Sequence, residues 1–113
     1  MLKKDIIKLG VKTILKQIFS KKKIDIDKIV IFGSLVNGKL REDSDIDVII
    51  VSKDFRGKGI FERVRMTTGV GSELVRRLKM PVDIMYYSDE EWDKGDFLII
   101  NEAKEKGEFL INR

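Results

Sequence analysis

Apolar residues in this chain recur with two different periods, and the changes of period mark out its elements. From Leu2 to Phe19, Ile7, Val11, Ile14, Leu15 and Ile18 fall at helical spacing with lysines between them, which predicts an amphipathic helix. Gly10 weakens that helix locally by about 1 kcal/mol relative to alanine, while Lys21, Lys22 and Lys23 suit its C-terminal end. Lys28 to Phe32 is a short run of mostly β-branched residues stopped by Gly33, and it predicts a buried strand. Asp45 to Val51 predicts a second strand, with Asp45, Asp47 and Ile49 on one face and Ile46, Val48 and Ile50 on the other. Ile60 to Leu78 carries an imperfect helical stripe of Phe61, Val64, Leu74, Val75 and Leu78, interrupted by Gly69 and Gly71, so a kink or two helices are expected. Pro81 opens a third strand, Val82 to Tyr87. Ser88 with Glu91 reads as a capping box for a short helix holding Trp92, and Asp96 as the cap of another that Gly107 ends. Phe109 to Ile111 is left for a last strand or docking segment. Strands alternating with helices predict an α/β protein, a sheet with helices packed on it.

At 113 residues the expected organisation is a single domain, 1–113. Composition narrows the chemistry mainly through two absences. The chain has no cysteine and no histidine, which excludes thiol nucleophiles, Cys/His zinc sites and a histidine base. Any metal binding or proton transfer therefore falls to carboxylates. Apolar runs such as Val48 to Val51 are too short to span a bilayer, and Lys3, Lys4 and Asp5 stand where a signal peptide would need an apolar core, so a soluble cytoplasmic protein is expected. With 23 basic against 19 acidic residues, the net charge of +4 permits binding to nucleic acid without pointing to it.

The candidate chemistry lies between Gly33 and Val51 and is completed at Asp83. Asp45 and Asp47, two apart on a strand, sit about 6.5–7 Å apart at Cα and project to one side, so they form a candidate site for a hard cation, magnesium or manganese. Taken alone, Asp45 reads more readily as a strand-entry turn residue and Asp47 as a solvent-facing one. Asp83 changes this, being the one acid within the apolar run of the third strand. If that strand lies beside the second, three carboxylates can hold two divalent ions, an arrangement suited to in-line displacement at phosphorus. Gly33 lets the backbone approach a phosphate, and Ser34 adds a hydroxyl and opens a helical turn. Lys39, Arg41 and Arg63 are candidate partners for phosphate charge.

Gly33-Ser34, three residues, Gly38, five residues, then Ser44-Asp45-Ile46-Asp47 resembles the signature of the DNA polymerase beta superfamily of nucleotidyltransferases, in its small stand-alone branch, the minimal nucleotidyltransferases. Val82-Asp83-Ile84 is similar to that family's third-carboxylate strand, and the likeness extends from Ile29 onward into the C-terminal segment. Asn37 departs from it, since many relatives have arginine there. The resemblance implies a small mixed sheet with packed helices and transfer of a nucleoside monophosphate, AMP from ATP or its counterpart from another nucleoside triphosphate, to a hydroxyl of a partner macromolecule. Gly33 and Ser34 would cradle the triphosphate. Asp45 and Asp47 would bind nucleotide and both Mg2+ ions, and Asp83 the catalytic one. It also implies pairing with a small helical HEPN-family protein as the antitoxin of a toxin–antitoxin system, and leaves a homo-oligomer open. A non-catalytic module that neutralises or regulates a helical partner by contact is the alternative.

Overall fold

The structure, a computed structural model, describes residues 3–37 and 45–113. Four strands form one mixed sheet in the order β3-β2-β1-β4, with β1 spanning Lys28–Phe32, β2 Ile46–Val51, β3 Val82–Tyr87 and β4 Glu108–Asn112. β1 runs antiparallel to both β2 and β4, whereas β2 and β3 are parallel. The α/β expectation holds, as do the second and third strands lying side by side.

Period-two alternation sends each strand's residues into two separate cores. On one face, Ile29 and Ile31 of β1 with Ile46, Val48 and Ile50 of β2 pack against α1 (Lys3–Lys22) and α4 (Val70–Leu78). On the other, Val30, Phe32, Ile49 and Val51 meet Trp92 of α5 (Asp89–Lys94) and Ile100 and Ala103 of α6 (Leu98–Lys106). With both faces occupied, slipping β2 by one residue would exchange its two apolar sets and carry Asp47 to the wrong side, so the register is strongly specified.

α1 is longer than its pattern predicts, and Phe19 is buried where Ile18 is only partly so. Gly10 does not interrupt it. A Cβ built there would stand 3.0 Å from Leu78 Cδ2, so the glycine serves close packing of α1 on α4. The long helical stretch divides into α3 (Ile60–Met66) and α4, with Gly69 left-handed at φ 84°. The threonine before the break helps close α3, Thr67 Oγ1 donating to Arg63 O at 2.7 Å.

Two expectations need correcting. Phe61 and Val64 do not join the core: α3 buries none of its residues, and these two are 80% and 60% exposed. Asp96 does not cap α6. Its carboxylate pairs with Lys94 at 3.3 Å, and Phe97 stands at the cap position with no side-chain bond. Ser88 and Glu91 form the reciprocal capping box at the start of α5 as expected.

What holds α3 in place is Arg63. Its guanidinium donates to Lys58 O, Phe55 O, Tyr86 O and Glu91 Oε1, at 2.7 to 3.0 Å, tying α3, the turn before it, β3 and α5 together. Burial works against the charged Glu91, but the Ser88 amide and Arg63 outweigh it and hold the carboxyl below its ordinary value. The stability this supplies is present above the ordinary glutamate pKa and is lost as pH falls through the lowered native value. Arg63→Ala, leaving Glu91 and three carbonyls without their donor, is expected to cost about 2–3 kcal/mol in urea denaturation at neutral pH. The acid-side loss of stability should also be shallower in the variant than in the parent.

Candidate active site

The site forms where β1 leaves the sheet and β2 enters it. Phe32 at the end of β1 pairs with Asp47, and on the other side of β2 the parallel register sets Asp47 directly against Asp83. Asp47 alternates with Ile49, and Asp83 with Met85, so both carboxylates belong to the α5/α6 face of the sheet. Asp45 precedes the first residue of β2 and is exposed; Asp47 is half-buried and Asp83 exposed. The three acids named from sequence are thus gathered at one end of two adjacent strands.

Their charges feel one another. Burial first, then Asp83, then Asp45, push the Asp47 carboxyl above its ordinary value. Like-charged neighbours on a partly desolvated strand act this way when no cation compensates them. Among the described residues, neither Asp47 nor Asp83 has an ion-pair or hydrogen-bond partner. As a donor set, oxygen-only and anionic, with Asp47 and Asp83 uncompensated among the described residues, the cluster fits a hard divalent cation. It is not a closed shell: among the described residues no group of three or more acidic side chains is arranged to hold a metal ion as it stands.

Gly33 has a second role that sequence alone did not give it. Its φ is +80°, in the left-handed region, and a Cβ there would run into Asp47 Oδ2. The glycine therefore makes room for the carboxylate as well as turning the chain from β1 into α2 (Ser34–Asn37), where Val36 N–H donates to Gly33 O at 3.1 Å. The backbone of Ser34 opens α2, and its side chain lies outside the described structure, as do Gly38, Lys39, Arg41 and Ser44. Arg63 is removed from the candidate phosphate partners, since four of its five N–H donors are engaged inside the fold.

A family model described as nucleotidyltransferase domain matches residues 11–110, and the chain belongs to that family. Solved structures share the fold. A candidate nucleotidyltransferase from Sulfolobus solfataricus superposes with a TM-score of 0.65 at 23% identity, covering 97% of this chain and 84% of its own. A toxin–antitoxin solved with AMP-PNP gives 0.61 at 16% identity, covering 90% and 73%. A candidate minimal nucleotidyltransferase gives 0.59 at 17% identity, covering 96% of each chain. No curated protein sequence matches significantly. Among the described residues no helix is long and apolar enough to cross a membrane.

Two outcomes follow from the crowding around Asp47. Because its pKa is raised, the stability associated with this group is present below the ordinary carboxylate pKa and lost as pH rises through the native value. Asp47→Asn should therefore raise the melting temperature at neutral pH without divalent cations, by about 1–2 °C after solvent screening, with the gain vanishing in acid. Added Mg2+ should stabilise the parent and leave the variant unmoved. Gly33→Ala should be more destabilising than Gly57→Ala, because Gly57 also has positive φ but nothing within 4 Å of a built Cβ. The Gly57 change isolates the backbone cost of about 1 kcal/mol, and the excess at Gly33 should largely disappear in an Asp47→Ala background.

Proposed function

We propose that the chain is a divalent-cation-dependent nucleotidyltransferase that moves a nucleoside monophosphate, AMP from ATP, onto a hydroxyl of a partner protein. The observation that supports this most is the pairing of Asp47 with Asp83 across parallel strands, with the Gly33 turn set against Asp47. In this reading Asp45 and Asp47 hold two Mg2+ ions, with Mn2+ as a substitute, and Asp83 holds one of them. The ions supply neutralisation of the triphosphate and of the charge that builds at phosphorus. Gly33 and Ser34 cradle the phosphates. The acceptor oxygen bonds to the α-phosphorus as the bond to the bridging oxygen breaks and pyrophosphate leaves. The acceptor's proton passes to Asp83, the one carboxylate on β3 and an exposed one, because no histidine exists to take it.

The biological setting we infer is the antitoxin half of a toxin–antitoxin pair whose other half is a small helical HEPN-family protein. The family membership and the fold shared with a toxin–antitoxin solved with AMP-PNP support it. Labelled nucleotide from ATP should be incorporated into the cognate partner in the presence of Mg2+. Asp45→Asn, Asp47→Asn and Asp83→Asn should each lower incorporation by about a hundredfold or more, a size usual for removing transition-state charge stabilisation. Partner neutralisation that survives all three substitutions undiminished would instead indicate a binding module acting by contact.

A further inference from the structure

Among the described residues the outer side of β3, the strand that carries Asp83, is an unpaired sheet edge beside an apolar groove. Pro81 O and Tyr87 O accept bonds from β2 and the residue after it. By the alternation of a parallel ladder, the amide groups of Val82, Ile84 and Tyr86 therefore face away from the sheet. Arg63 takes the outward carbonyl of Tyr86, and no described residue pairs with the others. Next to this edge lies a groove of about 470 Å³, lined by Ile60 and Val64 of α3, Met85 and Tyr87 of β3, and Phe97. Ile60 is 79% exposed, and the Tyr87 and Phe97 rings stand 5.4 Å apart. Met85 follows Asp83 on the same face of the strand, about 7 Å along. Met85 thus links the groove to the strand that carries Asp83.

Charge decides which occupant fits. The cations lining the groove are engaged, Arg63 with Glu91 and three carbonyls and Lys58 with Glu62 at 3.7 Å, and Asp83 stands two residues before Met85 on the strand that lines it. Among the described residues that line it, no cation is left free for a polyanion. A second copy pairing β3 to β3 about Ile84 would place the two Asp83 residues about 7–8 Å apart on one face, each already crowded by Asp47. Within a Debye length, that arrangement is repulsive. An extended polypeptide with apolar side chains at alternate positions meets neither penalty. Its backbone can pair with the outward amides, its apolar side chains fill the groove, and a residue opposite Asp83 lies about 4.8 Å from β3.

We propose that the β3 edge and this groove receive an extended, alternately apolar segment of a partner polypeptide as an added strand, presenting to Asp83 the serine, threonine or tyrosine hydroxyl that accepts the nucleotidyl group. This rests on the transferase reading for the chemistry, not for the docking. In the step itself the segment's hydroxyl oxygen bonds to the α-phosphorus, its proton goes to Asp83, and the bond to pyrophosphate breaks with its electron pair on the leaving oxygen.

The test uses the full chain on an array of short synthetic peptides. Each alternates apolar and polar residues around one central Ser, Thr or Tyr, with controls of the same composition in scrambled order. Binding is read without nucleotide, and label transfer separately with Mg2+ and ATP. Alternating peptides should be retained over their scrambled forms, and Val64→Lys and Phe97→Lys, at exposed positions, should weaken retention by about tenfold or more. ATP affinity should stay within about twofold in both variants, since neither position borders the phosphate turn. Ile84→Pro removes an outward amide and should act in the same direction; if it fails to fold, the two lysine variants carry the result. Asp83→Asn should keep peptide binding and lose label transfer. Retention indifferent to alternation or to the lysine variants overturns the proposal. So does a parent dimer that Val64→Lys converts to monomer, or retention of an RNA oligonucleotide in place of peptides. Binding as expected with no label transferred in the parent would leave the docking edge standing and count against the transferase reading alone.

Discussion

The repulsion between Asp47 and Asp83 is the constraint that the rest of this structure accommodates. Two carboxylates on neighbouring strands, held in direct register, are an unfavourable arrangement in a sheet whose other central positions are apolar. The fold sustains it because β2 is fixed from both sides, by Ile46, Val48 and Ile50 under α1 and α4 and by Ile49 and Val51 under α5 and α6. The two cores supply the stability, and the strand end bears the strain. Gly33 completes the arrangement by having no side chain where Asp47 Oδ2 lies.

Arg63 makes the other half of the design possible. By spending four donors on three carbonyls and Glu91, it holds α3 against β3 although only Met66 of the helix's apolar residues packs on the core, and that partly. That leaves Ile60 and Val64 facing outward beside the free edge of β3, where a solvated helix would ordinarily carry polar residues. Polar bonds secure the helix and leave its apolar surface unspent. The same residue that was open as a phosphate ligand proves to be a structural tie.

Much of the architecture was legible because it rests on local signals. β1 and β3 have the boundaries that their β-branched and apolar runs suggest, Gly69 breaks the long helical stretch, and Ser88 with Glu91 caps α5. Asp45, Asp47 and Asp83 were legible as acids inside apolar strands. Features set by tertiary contact were not. Gly10 reads as a helix weakness until Leu78 is seen against it, and Gly33 as a phosphate turn until Asp47 is. Phe61 and Val64 fit a buried stripe, yet they stay exposed while Met66 of the same helix packs against the core. Asp96 matches a cap, but Lys94 competes for its carboxylate. Periodicity reports which residues share a face, not whether anything covers that face.

The central claim is that Asp45, Asp47 and Asp83 form a cation site for a nucleoside triphosphate. Calorimetric titration of ATP into the chain, with Mg2+ and after its removal by chelation, tests this most directly. The account predicts binding that requires the divalent cation and is lost when Asp47 or Asp83 is changed to asparagine. An ATP affinity indifferent to Mg2+ would contradict it.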